Sequence, residues 1–174
     1  MMKATFFAIL FGIPLLASLT FAEDLGAPGC GDPAAKFAVK TAKDQRTVQP
    51  EAGKALIYFI EDDSNFESFP KPTTRMGVDG QWVGANHGDS YFFVQVAPGV
   101  HHLCASWQTT VIVGKGHQTA AAHFTADAGG VYYFEVKNKW IRDHGVLSMS
   151  LDPVDSDEGQ LLANKFSFST SERK

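Results

Sequence analysis

The sequence predicts one all-β domain, an antiparallel β-sandwich of about eight or nine strands with one short C-terminal helix. Three observations predict it. Short runs of β-branched and aromatic residues recur at roughly ten-residue intervals. Glycine, proline, asparagine and aspartate punctuate them at turn-forming spacings. Only one segment after the leader carries a convincing helix signal, near Asp155.

In chain order, Phe37 and Val39 alternate with polar neighbours between Lys36 and Lys40 and predict a first edge strand. Ala55 to Ile60 is a nearly continuous apolar run, which predicts a central strand covered on both faces. It ends at Glu61-Asp62-Asp63, an acidic triplet that reads as a solvated turn. Asp79-Gly80 favours the positive φ angles of a two-residue type I′ turn, so the flanking residues form a hairpin. Tyr91 to Val96 makes the next strand, broken by Ala97-Pro98-Gly99. In Val100 to Trp107, His101, Leu103, Ala105 and Trp107 share a face. Thr110 to Val113 and Thr119 to Thr125 flank Gly114-Lys115-Gly116 as another hairpin. Val131 to Val136 follows Gly129-Gly130, and Val146 to Leu151 alternates with serines.

The helix begins where Asp155 is followed three residues later by Glu158, a capping box ahead of Leu161 and Leu162. Gly159 disfavours it by about 1 kcal/mol relative to alanine, so it is expected to be short. The domain is therefore expected over residues 53–166. Residues 23–52 read as a leader and linker with that possible edge strand, and residues 167–174 as a polar tail.

Residues 1–22 have a different character. Lys3 precedes an apolar stretch from Ala4 to Leu19, and Thr20-Phe21-Ala22 puts small residues where a signal peptidase reads. A spanning helix needs about 20 apolar residues, whereas this run is shorter and contains Pro14. The expectation is a signal peptide cleaved after Ala22, with no stable membrane anchor afterwards and a periplasmic or extracellular destination. Lipidation is disfavoured because Ala27-Pro28-Gly29 separates Cys30 from the apolar core. Loss of Lys3 would take the formal charge from −4 to −5. A mildly acidic domain without a basic stripe argues against nucleic acid as partner.

The two cysteines, Cys30 and Cys104, would meet an oxidising compartment and are expected to pair. That bridge would tie the leader to a central strand.

Several pieces occur in a recognisable order: Gly53-Lys54-Ala55-Leu56-Ile57-Tyr58, then Val78-Asp79-Gly80-Gln81-Trp82-Val83-Gly84, Ser90-Tyr91-Phe92, Ala97-Pro98-Gly99-Val100-His101-His102-Leu103, and Ala128-Gly129-Gly130-Val131-Tyr132-Tyr133. With the segment Asp155 to Lys165 they resemble the bacterial domain of unknown function 2846 and the PEGA-type surface domains. The resemblance covers about residues 52–166. It implies an Ig-like or PEGA-like sandwich of the envelope, with no established activity and no catalytic residues to carry over. Family members are often lipoproteins, and this sequence departs from them in lacking a lipid-attachment box.

The side chains offer little chemistry of their own. His101 and His102 are adjacent on a strand and point to opposite faces, so they do not share an ion. His101 reads as a hydrogen-bonded, half-buried residue behind the Pro98-Gly99 turn. His117 and His123 are the remaining candidates for a weak metal site or metal-dependent enzyme. There is no Gly-X-Ser-X-Gly elbow, and Gly114-Lys115-Gly116 is too short to cradle phosphate. Trp82, just after a hairpin turn, and Trp140, read as a loop residue, are the candidates for exposed contact with a glycan or a protein partner. The expected function is a non-catalytic interaction or structural module without a cofactor, partnered by another envelope protein or a cell-wall component. A carbohydrate-binding module using Trp82 and Trp140 is the alternative.

Overall fold

The computed structural model describes residues 30–174, except 45, 68–69, 109–117 and 142–145. Ten strands and one helix follow in order: β1 (Phe37–Ala42), β2 (Ala55–Asp62), β3 (Thr73–Val78), β4 (Gln81–His87), β5 (Ser90–Val96), β6 (Gly99–Trp107), β7 (Thr119–Ala126), β8 (Val131–Ile141), β9 (Val146–Val154), α1 (Ser156–Lys165) and β10 (Ser167–Arg173). They form a six-stranded sheet in the order β1-β10-β5-β2-β8-β9 facing a four-stranded sheet in the order β4-β3-β6-β7. The all-β sandwich is thus present. The expected hairpin around Gly114-Lys115-Gly116, like the leader before Cys30, lies outside the described residues.

The larger sheet is mixed and not purely antiparallel, because β2 runs parallel to β8 and β10 parallel to β5. Parallel neighbours cannot be joined by a tight hairpin. Here β2 and β8 are separated by excursions through the facing sheet, and β10 is reached through α1, which crosses the outer face of the larger sheet.

That crossing explains the continuous apolar run in β2. Leu56, Ile57, Phe59 and Ile60 are all fully buried. On the inner face Phe59 packs on Phe92 at 5.5 Å between ring centroids, and Phe92 fills the space that a side chain at Gly84 of β4 would need. On the outer face Tyr58 stacks on Tyr133 at 4.9 Å beneath α1. Each large side chain removed from water contributes about 1.5–3 kcal/mol, so a strand buried on both faces contributes twice along its length.

The helix starts as expected. Asp155 caps it by accepting hydrogen bonds from the Asp157 and Glu158 amides. Gly159 proves to be a packing requirement as well as a weakness, since it is the helix residue laid directly on Tyr133.

One expectation needs correction. The polar tail expected outside the domain is strand β10, inserted between β1 and β5, with Phe168 and Ser169 buried. Its partner β1 lies some 130 positions earlier, as in the bond from Thr170 Oγ1 to the Lys40 carbonyl. The leader, whose order the sequence leaves open, is described from Cys30 onward. Residues 30–36 lie across the outer face of the smaller sheet, where Arg75 Nη1 donates to the carbonyls of Pro33 at 3.0 Å and Ala35 at 2.7 Å.

A Gly159→Ala substitution tests the packing role. Helix propensity alone favours alanine by about 1 kcal/mol, but its Cβ would stand 2.2 Å from Tyr133 Cγ. Overpacking costs about 1–3 kcal/mol, and a contact this close belongs at the upper end. Urea denaturation is expected to show a net loss of about 1–2 kcal/mol.

Candidate functional site

The Asp79-Gly80 turn is of the expected kind, with φ of 51° and 76°. Asp79 also clamps the start of β6. Its carboxylate accepts from the His102 amide at 2.9 Å and lies 2.7 Å from His101 Nδ1. His101 Nε2 is 2.7 Å from the Ala97 carbonyl. Neither a carboxylate nor a carbonyl can donate, so both ring nitrogens must, and His101 is an imidazolium. Burial opposes that charge, but the Ala97 and Asp79 bonds outweigh it and raise the His101 pKa. His101 is therefore structural, as read from the sequence.

Cys30 and Cys104 are bonded, with Cα atoms 5.4 Å apart. The bridge lies on the outer face of the smaller sheet and fastens the strap of residues 30–36. Trp82 lies over it, half-buried and not an exposed platform. Its Nε1 donates to the Asp32 carbonyl at 2.8 Å, and the Arg75 guanidinium sits 4.4 Å from its ring. Gly77 and Gly31 leave the room for that ring.

Trp140 is a strand residue of β8 rather than a loop residue. It is half-buried, paired with Leu147 and bonded through its backbone to Asn65 and Glu67. The two tryptophans stand in different sheets and are not brought together. His117 lies outside the described residues. His123 is exposed on β7 opposite His102, with ring centroids 6.5 Å apart. Among the described residues no group of three or more His, Cys, Asp and Glu is placed to hold a metal ion.

The acidic triplet departs most from expectation. Glu61 and Asp63 are buried, at 0% and 1% exposure, and only Asp62 reaches solvent. The inner-face alternation of β2 continues through Ile57, Phe59 and Glu61 to Asp63. In β8 the same period of two passes through Phe134 and Val136 to Asn138. The parallel register pairs Asp62 with Lys137, which brings Asp63 beside Asn138.

The Asn138 amide joins the two carboxyls. Its Nδ2 donates to Glu61 Oε1 at 2.7 Å and to Asp63 Oδ1 at 2.8 Å, while Trp107 Nε1 donates to its Oδ1 at 2.9 Å. That indole donor fixes which end of the amide faces the acids. Thr74 Oγ1 adds a bond to Glu61 Oε1. Glu61 Oε2 and Asp63 Oδ2 have no hydrogen-bond partner among the described residues.

Burial, followed by the neighbouring Asp63 charge, pushes Glu61 well above the ordinary carboxylate range, against the Thr74 and Asn138 bonds. Burial raises Asp63 to about 7, against the Asn138 bond and the Lys71 charge. Trp107 reads from the sequence as an inward residue of its strand, but nothing local marks Thr74 or Asn138 as partners of the acids. The signal for Asn138 was its in-phase position after Phe134 and Val136.

A cleft of about 270 Å³ opens on the outer face of the larger sheet, between residues 46–49, α1 and the strands beneath. Tyr58, Tyr91 and Tyr133 form its floor, and Gln160 and Asn164 stand on its helical wall. Tyr91 accepts from the Arg46 amide at 2.9 Å, which ties the incoming segment down. Burial holds the Tyr58 and Tyr133 phenols above their ordinary value, so both are neutral hydrogen-bonding groups near pH 7. Arg46 is engaged with Asp44 at 3.3 Å and lies over the Phe168 ring.

The disulfide closes a separation of 74 residues. Replacing both cysteines with serine is expected to lower stability by about 2–4 kcal/mol. Denaturant unfolding of the variant against the oxidised protein measures it, and near-UV spectra should show a retained sandwich.

The family model described as a protein of unknown function, DUF2846, matches residues 51–146, which run from just before β2 to the first residue of β9. No curated protein and no solved structure matches. The match spans more than half of the chain, taking in the motifs between Gly53 and Tyr133 but not the segment Asp155 to Lys165, and the chain belongs to the DUF2846 family.

Proposed function

We propose that this chain is an exported, non-catalytic binding module of the bacterial envelope that meets its ligand at the tyrosine cleft. The cleft carries the reading. It joins a concavity of about 270 Å³ to neutral hydrogen-bonding groups, the combination that small-ligand sites share. Among the described residues that line it the one cation, Arg46, already has the Asp44 carboxylate, which favours an uncharged polar ligand such as a cell-wall component over a polyanion. The Cys30–Cys104 bridge suits an oxidising compartment and supports export, together with the charge, apolar core and small-residue order of residues 1–22.

Export is tested by the intact mass of protein purified from its native host. The expected species begins at Glu23 and is two hydrogens lighter than the dithiol form; a full-length dithiol species in the cytosol would overturn that part. Binding is tested by NMR titration with soluble peptidoglycan fragments and wall glycans. Shifts are expected at Gln160, Asn164 and Thr47, and should be lost in Ala163→Trp, which fills the cleft. Shifts centred elsewhere, or none with any of these probes, would remove the cleft as the binding surface.

A further inference from the structure

At the end of the sandwich where β2 runs out, two buried carboxyl side chains share one amide nitrogen. We propose that Glu61 and Asp63 form a proton-dependent latch, which holds segment 63–67 against the sandwich while the pair carries protons and releases it when the pair ionises.

The geometry supplies the latch and the parts it holds. Asp63 is the first residue beyond β2. Its side chain is held by Asn138 of β8, and its amide donates to Asp89 Oδ1 at 2.8 Å. The segment it begins inserts Phe66, 2% exposed, edge-on against Trp107 at 5.7 Å. Its backbone continues the sheet through the Trp140 amide to the Asn65 carbonyl at 3.0 Å and the Glu67 amide to the Trp140 carbonyl at 3.1 Å. Trp107 therefore links the two, its ring meeting Phe66 of the segment and its Nε1 holding the Asn138 amide that binds both acids.

The hydrogen-bond count says what the pair can hold. Four carboxyl oxygens meet two amide hydrogens from Asn138 and one hydroxyl from Thr74, and one oxygen of each acid is left over. A protonated carboxyl adds a donor, whereas a second negative charge adds none and must stand beside the first away from water.

The charged groups around the pair do not remove that conflict. Asp62 and Asp89 are further anions. Lys71 is the cation nearest Asp63 in effect, yet its Nζ donates to the backbone carbonyls of Asp63 and Phe66, which fastens the segment without reaching the leftover oxygens. β3, β6 and β8 present the neutral Thr74, Trp107 and Asn138. From β4, Asn86 donates to the Phe59 carbonyl, and His87 turns its ring to Pro72 and Thr73.

The sign follows from linkage. Both folded values are raised, so the closed form holds more protons than the open one between the ordinary carboxylate range and about 7 for Asp63. Closure is then strongest at the acid end of that window and weakens as pH rises through it, by up to about tenfold per pH unit for each acid.

Amide hydrogen exchange on the full chain between pH 5 and 8 tests this, corrected for the intrinsic rise of exchange with pH. The Phe66, Glu67 and Trp140 amides are expected to lose at least about tenfold in protection across the range, while the β2–β5 ladder keeps its own. Glu61→Gln combined with Asp63→Asn keeps the acceptors that Asn138 and Thr74 use and removes the ionisation, so protection should become flat with pH. The single Glu61→Gln variant, with an intermediate slope, serves if the double variant does not fold. Wild-type protection flat with pH would overturn the latch. So would a slope that survives in the variants, or one shared equally by the β2–β5 amides, which would be global unfolding.

Discussion

The structure depends on the burial of β2 on both faces. A strand that reads Ala-Leu-Ile-Tyr-Phe-Ile has no polar side to give to water, so the sheet around it must be covered twice. The smaller sheet covers one face, and the α1 crossing with residues 46–49 covers the other. The remaining features follow from this constraint. The helix needs a glycine where it meets Tyr133, the last strand must be carried over that helix, and β2 acquires a parallel neighbour because its hairpin partners are used in building the facing sheet.

The same constraint places the polar groups. Along the inner face the apolar alternation ends before the sandwich does, and the next two inward positions are acids. In most proteins two acids after a strand would mark its exit into solvent. Here segment 63–67 folds back across the opening, and Phe66 seals it against Trp107. Burying the carboxyls without a cation among their hydrogen-bond donors sets this end apart from the opposite one, where the Asp79–His101 pair joins the turns through a charge and its counter-charge.

Much of the fold was legible in the sequence because its signals were local. The Asp79-Gly80 turn, the Asp155 cap, the Pro98-Gly99 break and the role of His101 each depend on residues a few positions apart. What was not legible depended on pairings between distant segments. Ser167 to Arg173 repeats serine at every second position, 167, 169 and 171, so its inward side reads as polar, and only the presence of β1 and β5 makes it a strand. Glu61 and Asp63 look like a turn until the register with β8 sets Asn138 beside them. Trp82 and Trp140 were legible as aromatic but not as packed, because the strap over one and segment 63–67 beside the other come from elsewhere in the chain. The tyrosine cleft has no local motif, since its walls come from a linker, three strands and a helix.

The position of β10 has a consequence for how the molecule comes into being. Residues 167–173 occupy the place between β1 and β5, so β1 has no neighbour in its sheet until those residues exist. During synthesis β1 emerges well before β10 and has no partner in its sheet until residues 167–173 have followed it. Pairings this far apart in sequence form slowly. The order of strands thus delays completion of the larger sheet until residues 167–173 have been made.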